Sequence, residues 1–184
     1  MDIVTAHTGD RWALAAVAAA TFPMACPPSA SPVDIASFIS ANLSAECFDE
    51  YLGDPARIVL GAADTGRLIG YAMLIRGGVD GPDVPGSTPH RRAAEVSQMV
   101  ELSKMYVLPA YHRTGAAAAL IRSGIGWARD IGAATVWLGV NQNNQRAQRF
   151  YRKHGFEVCG TRTFRLGAAL ENDFVMARRL DDGA

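Results

Sequence analysis

The chain has 184 residues, 49% of them hydrophobic and 20% charged, so it can bury one core and does not have the composition of a disordered segment. Eighteen basic residues balance eighteen acidic ones, and this zero net charge argues against nucleic acid as a partner. The cysteines at positions 26, 47 and 159 include no CxxC pair, which argues against a disulfide framework and against a metal site. We therefore expect a single domain over residues 1–184 in the cytoplasm.

The charges are unevenly distributed along the chain. Residues 1–100 carry eleven acidic and six basic side chains, whereas residues 101–184 carry seven acidic and twelve basic ones. We expect an anion to bind the second part of the chain and a cation to approach the first.

The first part begins with a predicted strand over residues 1–6 and an alanine-rich helix that starts near Thr8. The side chains that we expect to face inward on this helix are Trp12, Ala15, Ala16 and Ala19. The apolar run is too short to span a bilayer, and it lacks the positive flank of a signal peptide. The sequence therefore predicts no membrane association.

A proline-rich loop follows this helix, and two further helices come after it. Apolar residues at helical spacing predict one helix around 35–43 and a shorter one that ends before Gly53. Two apolar runs around Asp64, Thr65 and Gly66 predict a hairpin. Residues 77–94 contain four glycines and three prolines, which predicts a long loop with either a functional role or none.

The second part of the chain alternates strands and helices. Its pattern predicts strands at 101–107 and 135–140, helices at 115–130 and 143–154, and strands near 157–166 and 172–179. Gly132 and Gly155 stand where a helix ends with a residue of positive φ. A strand, helix and strand in succession predict a parallel pair with a right-handed crossover.

The segment "HRTGAA" joins the strand at 101–107 to the next helix. The start of a helix presents unpaired N–H groups and a partial positive charge, and Gly115 allows a ligand to approach the backbone closely. This predicts a phosphate or pyrophosphate site, although an ordinary strand-to-helix turn explains one glycine equally well. Neither the P-loop signature GxxxxGK[ST] nor the dinucleotide motif GxGxxG is present.

The helix in "NQNNQRAQRFYRKHGFEV" places several chemically useful side chains on related faces. These are Asn144, Ala147, Phe150, Tyr151 and His154. Tyr151 can pack its ring and still direct its hydroxyl at a cavity. Asn144 is suited to cap the helix, and its amide could equally hold a ligand.

Together these two segments resemble the GNAT superfamily of acyl-CoA-dependent N-acetyltransferases. The family's Q/R-x-x-G-x-G/A loop corresponds to "HRTGAA", and its N-x-x-A-x-x-F-Y-x-K-x-G-F pattern corresponds to "NQRAQRFYRKHGF". Within the superfamily, "ELSKMYVLP" and the opening "TF…P…I…FI" resemble PaiA-type polyamine acetyltransferases. The resemblance implies a mixed α/β fold: a mostly antiparallel sheet with a central splayed parallel strand pair, flanked by helices on both faces.

The resemblance also implies where acetyl-CoA, the co-substrate, binds. The pyrophosphate would lie on the loop, whose residues are His112, Arg113, Thr114, Gly115, Ala116, Ala117 and Ala118. The pantetheine arm would hydrogen-bond to the backbone of Met105, Tyr106 and Val107 like an added strand, and it would contact Asn144. Arg146, Arg149, Arg152 and Lys153 could add attraction for the 3′-phosphate, although a solvated helix face explains most of them as well. His112 stands where the family has Gln or Arg, and Arg113 could compensate.

Acetyl transfer needs a base, an oxyanion site and an acid. We expect Glu101 to be the base, acting through a water, although it could also be an exposed carboxylate at a strand end. Backbone N–H groups around Tyr106 and Val107 would polarise the thioester carbonyl. Tyr151 lies near the sulfur in the family and would protonate it, because a phenol keeps its proton at neutral pH.

The acceptor would be the primary amine of a small molecule, and a polyamine is compatible with the acids of the first part of the chain. These acids are Glu46, Asp49, Glu50, Asp54, Asp80 and Asp83, although carboxylates that merely keep the surface soluble would look the same. Two alternatives remain open: a CoA-binding sensor without catalysis, and an acetyltransferase for protein N-termini or lysines. A homodimer is also left open.

Overall fold

The computed structural model describes residues 1–27, 30–77, 98–166 and 169–180. Apart from Gly77, the predicted loop at 77–94 lies outside the described residues, and so do Asp80 and Asp83. In the described residues, seven strands and five α-helices follow one another along the chain. They are β1 (Asp2–Thr5), α1 (Arg11–Thr21), α2 (Pro32–Asn42), α3 (Ala45–Gly53), β2 (Arg57–Asp64), β3 (Arg67–Arg76), β4 (Met99–Val107), α4 (Ala116–Asp130), β5 (Thr135–Asn141), α5 (Gln145–Lys153), β6 (Glu157–Leu166) and β7 (Ala169–Arg179).

The strands form one sheet in the order β1-β2-β3-β4-β5-β7-β6. Every neighbouring pair is antiparallel except β4 and β5, which are parallel. The β2–β3 hairpin turns through Thr65 at φ 47° and Gly66 at φ 79°, two successive positive values that match the twist of the flanking strands. The predicted fold class is thereby confirmed.

The two parallel strands separate soon after they meet. Their ladder joins Met99 to Thr135, Val100 to Val136 and Glu101 to Trp137, while β4 continues to Val107 and β5 to Asn141. β5 stays paired with β7 along its whole length. One edge of β4 beyond Glu101 is therefore open, because the strand that should cover it diverges.

A bulge in β4 sets which side chains share a face near this point. Leu74 of β3 is opposite Leu102, and Met73 is opposite Lys104, so Ser103 is an extra residue in β4. Residues three apart in a regular strand face opposite sides, but the extra residue puts Glu101 and Lys104 on the same side.

Helices cover both faces of the sheet, as predicted. One face carries α4 and α5 over a core that includes Leu120, Ile125 and Phe156. The other carries α1, α2 and α3 over a core with Phe22, Phe48 and Tyr71. Because both faces are covered, β2 and β3 are buried along most of their length.

The predicted inward face of α1 was wrong for three of its four residues. Trp12 is 64% exposed, and Ala16 and Ala19 are also exposed, whereas Ala15 is partly buried. The buried stripe consists of Leu14, Val17, Ala18 and Thr21. In this alanine-rich helix, the two larger aliphatic side chains of that stripe decide which face packs on the sheet.

Helix ends follow their sequence signals. Ser31 Oγ accepts from the amide of Asp34 (3.0 Å) at the start of α2, and Ser44 Oγ accepts from the amide of Cys47 (3.3 Å) at the start of α3. Gly132 and Gly155 have positive φ, as predicted, at 74° and 79°.

Within the described residues, no helix combines the length and the apolar character that a membrane span requires.

Candidate active site

A cleft of about 800 Å³ opens where β4 and β5 separate, a volume typical of small-molecule sites. The end of β4, the loop after it, the first turns of α4, the helix α5 and the end of α1 line it. From sequence we assigned thirteen residues to catalysis, to the pyrophosphate loop or to the pantetheine arm. Ten of them lie here: Met105, Tyr106, Val107, His112, Arg113, Gly115, Ala117, Ala118, Asn144 and Tyr151.

The open edge of β4 presents backbone donors to this cleft. The amide of Leu108 donates to the carbonyl of Ile69 on β3 (2.8 Å). Since amide directions alternate along a strand, the amide of Tyr106 also faces β3, while those of Met105 and Val107 face the open edge. An extended ligand can therefore hydrogen-bond to Met105 and Val107 as an added strand.

The loop after β4 is shaped so that its backbone faces the cleft. Arg113 has φ 69° and Gly115, the N-cap of α4, has φ 95°. The first amides of α4 have no partner within the helix, and the helix dipole adds partial positive charge. Thr114 and Ala116 do not line the cleft, because the Thr114 hydroxyl donates to Tyr111 O (2.8 Å) and Ala116 is buried in the core.

His112 lines the cleft, but its ring is already engaged. Its Nε2 lies 3.0 Å from the carbonyl oxygen of Val107, where a protonated Nε2 donates to that oxygen. This contact ties the loop to the end of β4. Arg113 and the backbone amides are then the remaining groups of the loop that can hold an anion.

α5 is fixed by polar contacts at its start. Asn144 Oδ1 accepts from the amide of Ala147 (3.0 Å), so the predicted capping role is confirmed. Gln148 is buried, and its Nε2 donates to the carbonyls of Asn141 (3.2 Å) and Gln142 (2.8 Å). These bonds attach α5 to the end of β5 and thereby fix the cleft wall that carries Tyr151.

Tyr151 packs its ring among other aromatic side chains. The ring lies edge-on to Phe150 (5.5 Å between centroids) and to Phe156 (5.9 Å). Burial raises the pKa of Tyr151 to about 12. The phenol therefore keeps its proton in the physiological range and can donate it to a stronger base.

Basic side chains surround the cleft. Arg113, Arg122, Arg146 and Lys153 line it. Arg149 and Arg152, also assigned to a phosphate from sequence, are absent from the described lining. We did not predict Arg122 from sequence, because it lies on α4 one turn beyond Ala118 and outside the loop motif.

Glu101 lies outside this cleft, at the point where β4 and β5 part. It is the last β4 residue paired with β5, and its side chain faces the α1–α3 side of the sheet. Burial raises the pKa of Glu101, and the guanidinium of Arg162 is the largest influence opposing that rise. Arg162 Nη1 lies 3.7 Å from Glu101 Oε1. Glu101 is thus a partly buried carboxylate in an ion pair and differs from an exposed strand end.

Arg162 is held by several neighbours. Its Nε lies 3.4 Å from Asp173 Oδ2, and its guanidinium lies 5.6 Å from the centre of the Trp137 ring. It also packs directly on Gly139, where a side chain would overlap it. β5, β6 and β7 together therefore fix the cation that faces Glu101.

A second set of charges lies near Glu101. The Tyr51 ring has Arg57 4.7 Å from its centre and Lys104 5.1 Å from it. Arg57 also forms an ion pair with Asp54 (2.7 Å). Burial, followed by the positive charge of Arg57, lowers the pKa of Lys104 to about 8.

Comparison with known proteins decides the family. The acetyltransferase (GNAT) family model matches residues 25–156 of this chain. The chain belongs to the GNAT acetyltransferase family. Its resemblance to that family, and with it the prediction of an acyl-CoA-dependent acetyltransferase, is confirmed.

Relatives and solved structures agree with this GNAT assignment. The chain is 59% identical over 167 residues, which are 91% of this chain and 96% of the relative, to an "Uncharacterized N-acetyltransferase" of Mycobacterium tuberculosis H37Rv. A PaiA N-acetyltransferase from Thermoplasma acidophilum in complex with coenzyme A superimposes with a TM-score of 0.73 at 21% identity, over 97% of this chain and 99% of that one. A structure from Salmonella typhimurium with its cofactor acetyl-CoA gives 0.64 at 22% identity, over 100% and 96%. These two likenesses establish the fold.

Proposed function

We propose that this GNAT chain transfers the acetyl group of acetyl-CoA directly to the primary amine of a small molecule. The observation that carries the proposal is the open edge of β4, which leads along one cleft to the start of α4. An extended arm with an amide backbone suits the first feature, and a pyrophosphate suits the second.

The residues of the cleft fit acetyl-CoA in this orientation. The pantetheine arm would hydrogen-bond to Met105 and Val107, with the Asn144 side chain beside it. The pyrophosphate would lie on the amides from Arg113 to Ala118. Arg122, Arg146 and Lys153 line the same cleft and would attract the 3′-phosphate.

The proposed chemistry begins when Glu101, directly or through a water, takes a proton from the acceptor ammonium. The amine nitrogen then bonds to the acetyl carbon, and the amide of Val107 or Met105 donates to the oxyanion. The C–S bond breaks, and Tyr151 gives its proton to the leaving sulfur. The second nitrogen proton restores the phenol through solvent, and Glu101 releases its own proton to solvent.

Glu101 suits the role of base because of its surroundings. Burial raises its pKa toward neutrality, which strengthens it as a proton acceptor. Arg162 opposes this rise, and so favours the ionised form of Glu101, which is the form that accepts a proton.

A polyamine-like acceptor is the finer hypothesis suggested by the sequence. Its support is the excess of acids in the first part of the chain. Two of those acids are already paired, Asp49 with Arg11 (3.8 Å) and Asp54 with Arg57 (2.7 Å). A primary amine therefore remains the proposed class of acceptor. A cytoplasmic location is also kept as a proposal.

The test combines binding with turnover. Calorimetric titration with acetyl-CoA and CoA should give saturable binding at micromolar to millimolar concentrations. Incubation with acetyl-CoA and a broad panel of amines, followed by mass spectrometry, should show an N-acetylated product. Binding without product from any amine would favour a sensor module, and absence of binding at millimolar acetyl-CoA would refute the proposal.

A further inference from the structure

The face of the sheet that holds Glu101 also carries three cationic side chains, two of which are paired with carboxylates. Arg57, Lys104 and Arg162 all act electrostatically on Glu101. Arg57 is paired with Asp54, and Arg162 is placed between Glu101 and Asp173. Lys104 is different, because no carboxylate among the described residues lies within 4.0 Å of its amino group.

The position of Lys104 is well defined even though it has no ion pair. Its amino group lies over the Tyr51 ring, on which Arg57 also packs. The bulge at Ser103 turns it to the same side of the sheet as Glu101. A mostly buried ammonium is costly unless it has an anionic partner. Glu101, the carboxylate that acts electrostatically on Lys104, is already paired with Arg162.

Two buried hydrogen-bond donors lie on the same face, one on each side of β4. The Tyr71 hydroxyl on β3 and the Trp137 indole N–H on β5 have no hydrogen-bond partner in the described part of the chain. Both side chains are almost completely buried. Lys104 and these two groups therefore all need an acceptor oxygen.

We propose that the amine acceptor also carries a carboxylate, that the Lys104 ammonium pairs with this carboxylate, and that the acceptor amine lies toward Glu101. This inference rests on the proposed acetyltransferase function and specifies its substrate class as an aminocarboxylate. A diamine or polyamine would bring a second cation to Lys104, which has no ion pair among the described residues. The Lys104 ammonium would repel the second ammonium of a diamine, whereas it would attract the carboxylate of an aminocarboxylate.

The experiment compares acceptors that differ only at their far end. Aminocarboxylates from glycine to 6-aminohexanoate are each matched with the n-alkylamine and the α,ω-diamine of similar length. For each compound, kcat/KM is measured with saturating acetyl-CoA in the wild type, in Lys104→Met and in Arg67→Met. Lys104→Met keeps the length of the side chain and removes the charge. Arg67 is an exposed cation at the β2–β3 turn and provides the matched control.

At the best chain length, we expect the wild type to favour the aminocarboxylate over the diamine by about tenfold or more, the scale of one charged hydrogen bond. Lys104→Met should bring the ratio of aminocarboxylate to alkylamine to about one, and Arg67→Met should leave that ratio unchanged. The comparison of aminocarboxylates with diamines in the wild type tests the inference even if Lys104→Met does not fold.

Two results would overturn the inference while the proposed function stands: diamines acetylated as well as or better than aminocarboxylates at every length, or an unchanged ratio in folded Lys104→Met. If acetyl-CoA binds but no amine is acetylated, the proposed function fails and the inference fails with it.

Discussion

The guanidinium of Arg162 lies directly on Gly139, so closely that a Cβ on Gly139 would overlap it. Arg162 reaches Glu101 from this position, at 3.7 Å. A residue without a side chain in the middle of β5 thus determines where the partner of the proposed base can lie. The relationship links β5 and β6, which β7 separates in the sheet.

Gly139→Ala should displace Arg162 without removing its charge. We expect kcat/KM for the acceptor to fall about ten- to a hundredfold, because the ion pair that orients the base is lost. The dissociation constant of acetyl-CoA should stay within about threefold, because Gly139 is absent from the lining of the cleft. Gly126→Ala is the control, since a Cβ there meets nothing within 4 Å. Equal activity of the two variants would refute this role for Gly139.

Arg162→Gln should shift the acid limb of the pH–rate profile upward. A base works only when it is deprotonated, so activity falls as the pH drops through its pKa. Burial raises the pKa of Glu101, and Arg162 opposes that rise. Removing the guanidinium should therefore raise the pKa further and move the acid limb of kcat/KM to higher pH. Glu101→Gln should abolish this limb. If the pH–rate profile of Arg162→Gln is identical to that of the wild type, Arg162 does not influence the pKa of the base.

Tyr151→Phe should lower kcat by about a hundredfold and leave the dissociation constant of acetyl-CoA nearly unchanged, since the ring packing survives and only the proton donor is lost. With a pKa of about 12, the Tyr151 phenol should contribute no alkaline limb below pH 10 in the wild type. Tyr111→Phe, in the same cleft, is the matched control. Full turnover by Tyr151→Phe, measured at saturating acetyl-CoA, would remove Tyr151 from the mechanism.

Two glycines two residues apart in α4 should respond differently to alanine. Gly126→Ala should raise the free energy of unfolding by about 0.5–1 kcal/mol, because alanine favours the helix and the space is open. At Gly124, a Cβ would lie 3.0 Å from Leu74 Cδ1, so the repacking of Leu74 should offset that gain. Urea unfolding of both variants measures the difference. A Gly124→Ala variant as stable as Gly126→Ala would show that Leu74 moves without cost.

The parts of the site that could be predicted from sequence are encoded locally. Asn144 and Tyr151 lie within eight positions on one helix, and Gly115 lies at a strand-to-helix join, so motif spacing alone places them. Helix caps and the hairpin turn could be read in the same way, because each depends on two to four neighbouring residues.

The surroundings of Glu101 could not be predicted, because they come from sheet order. Arg162 of β6 lies beside Asp173 of β7, and β7 pairs with β5, so the contact of Arg162 with Glu101 depends on the order of the strands in the sheet. Nothing in the sequence near any of them indicates that pairing. The buried face of α1 was mispredicted for a different reason. A run of alanines makes several helix faces equally apolar, and the prediction wrongly placed the large Trp12 side chain in the core.

The extra residue in β4 makes the character of the acceptor face depend on chain length as well as on side-chain identity. Deleting Ser103 would restore a regular two-residue alternation, so that Glu101 and Lys104 would point to opposite layers of the molecule. One of these charges would then enter the aliphatic core beneath α4. Sequences that align with this chain but lack the extra residue are therefore expected to present a different acceptor face, even where both charged residues are retained.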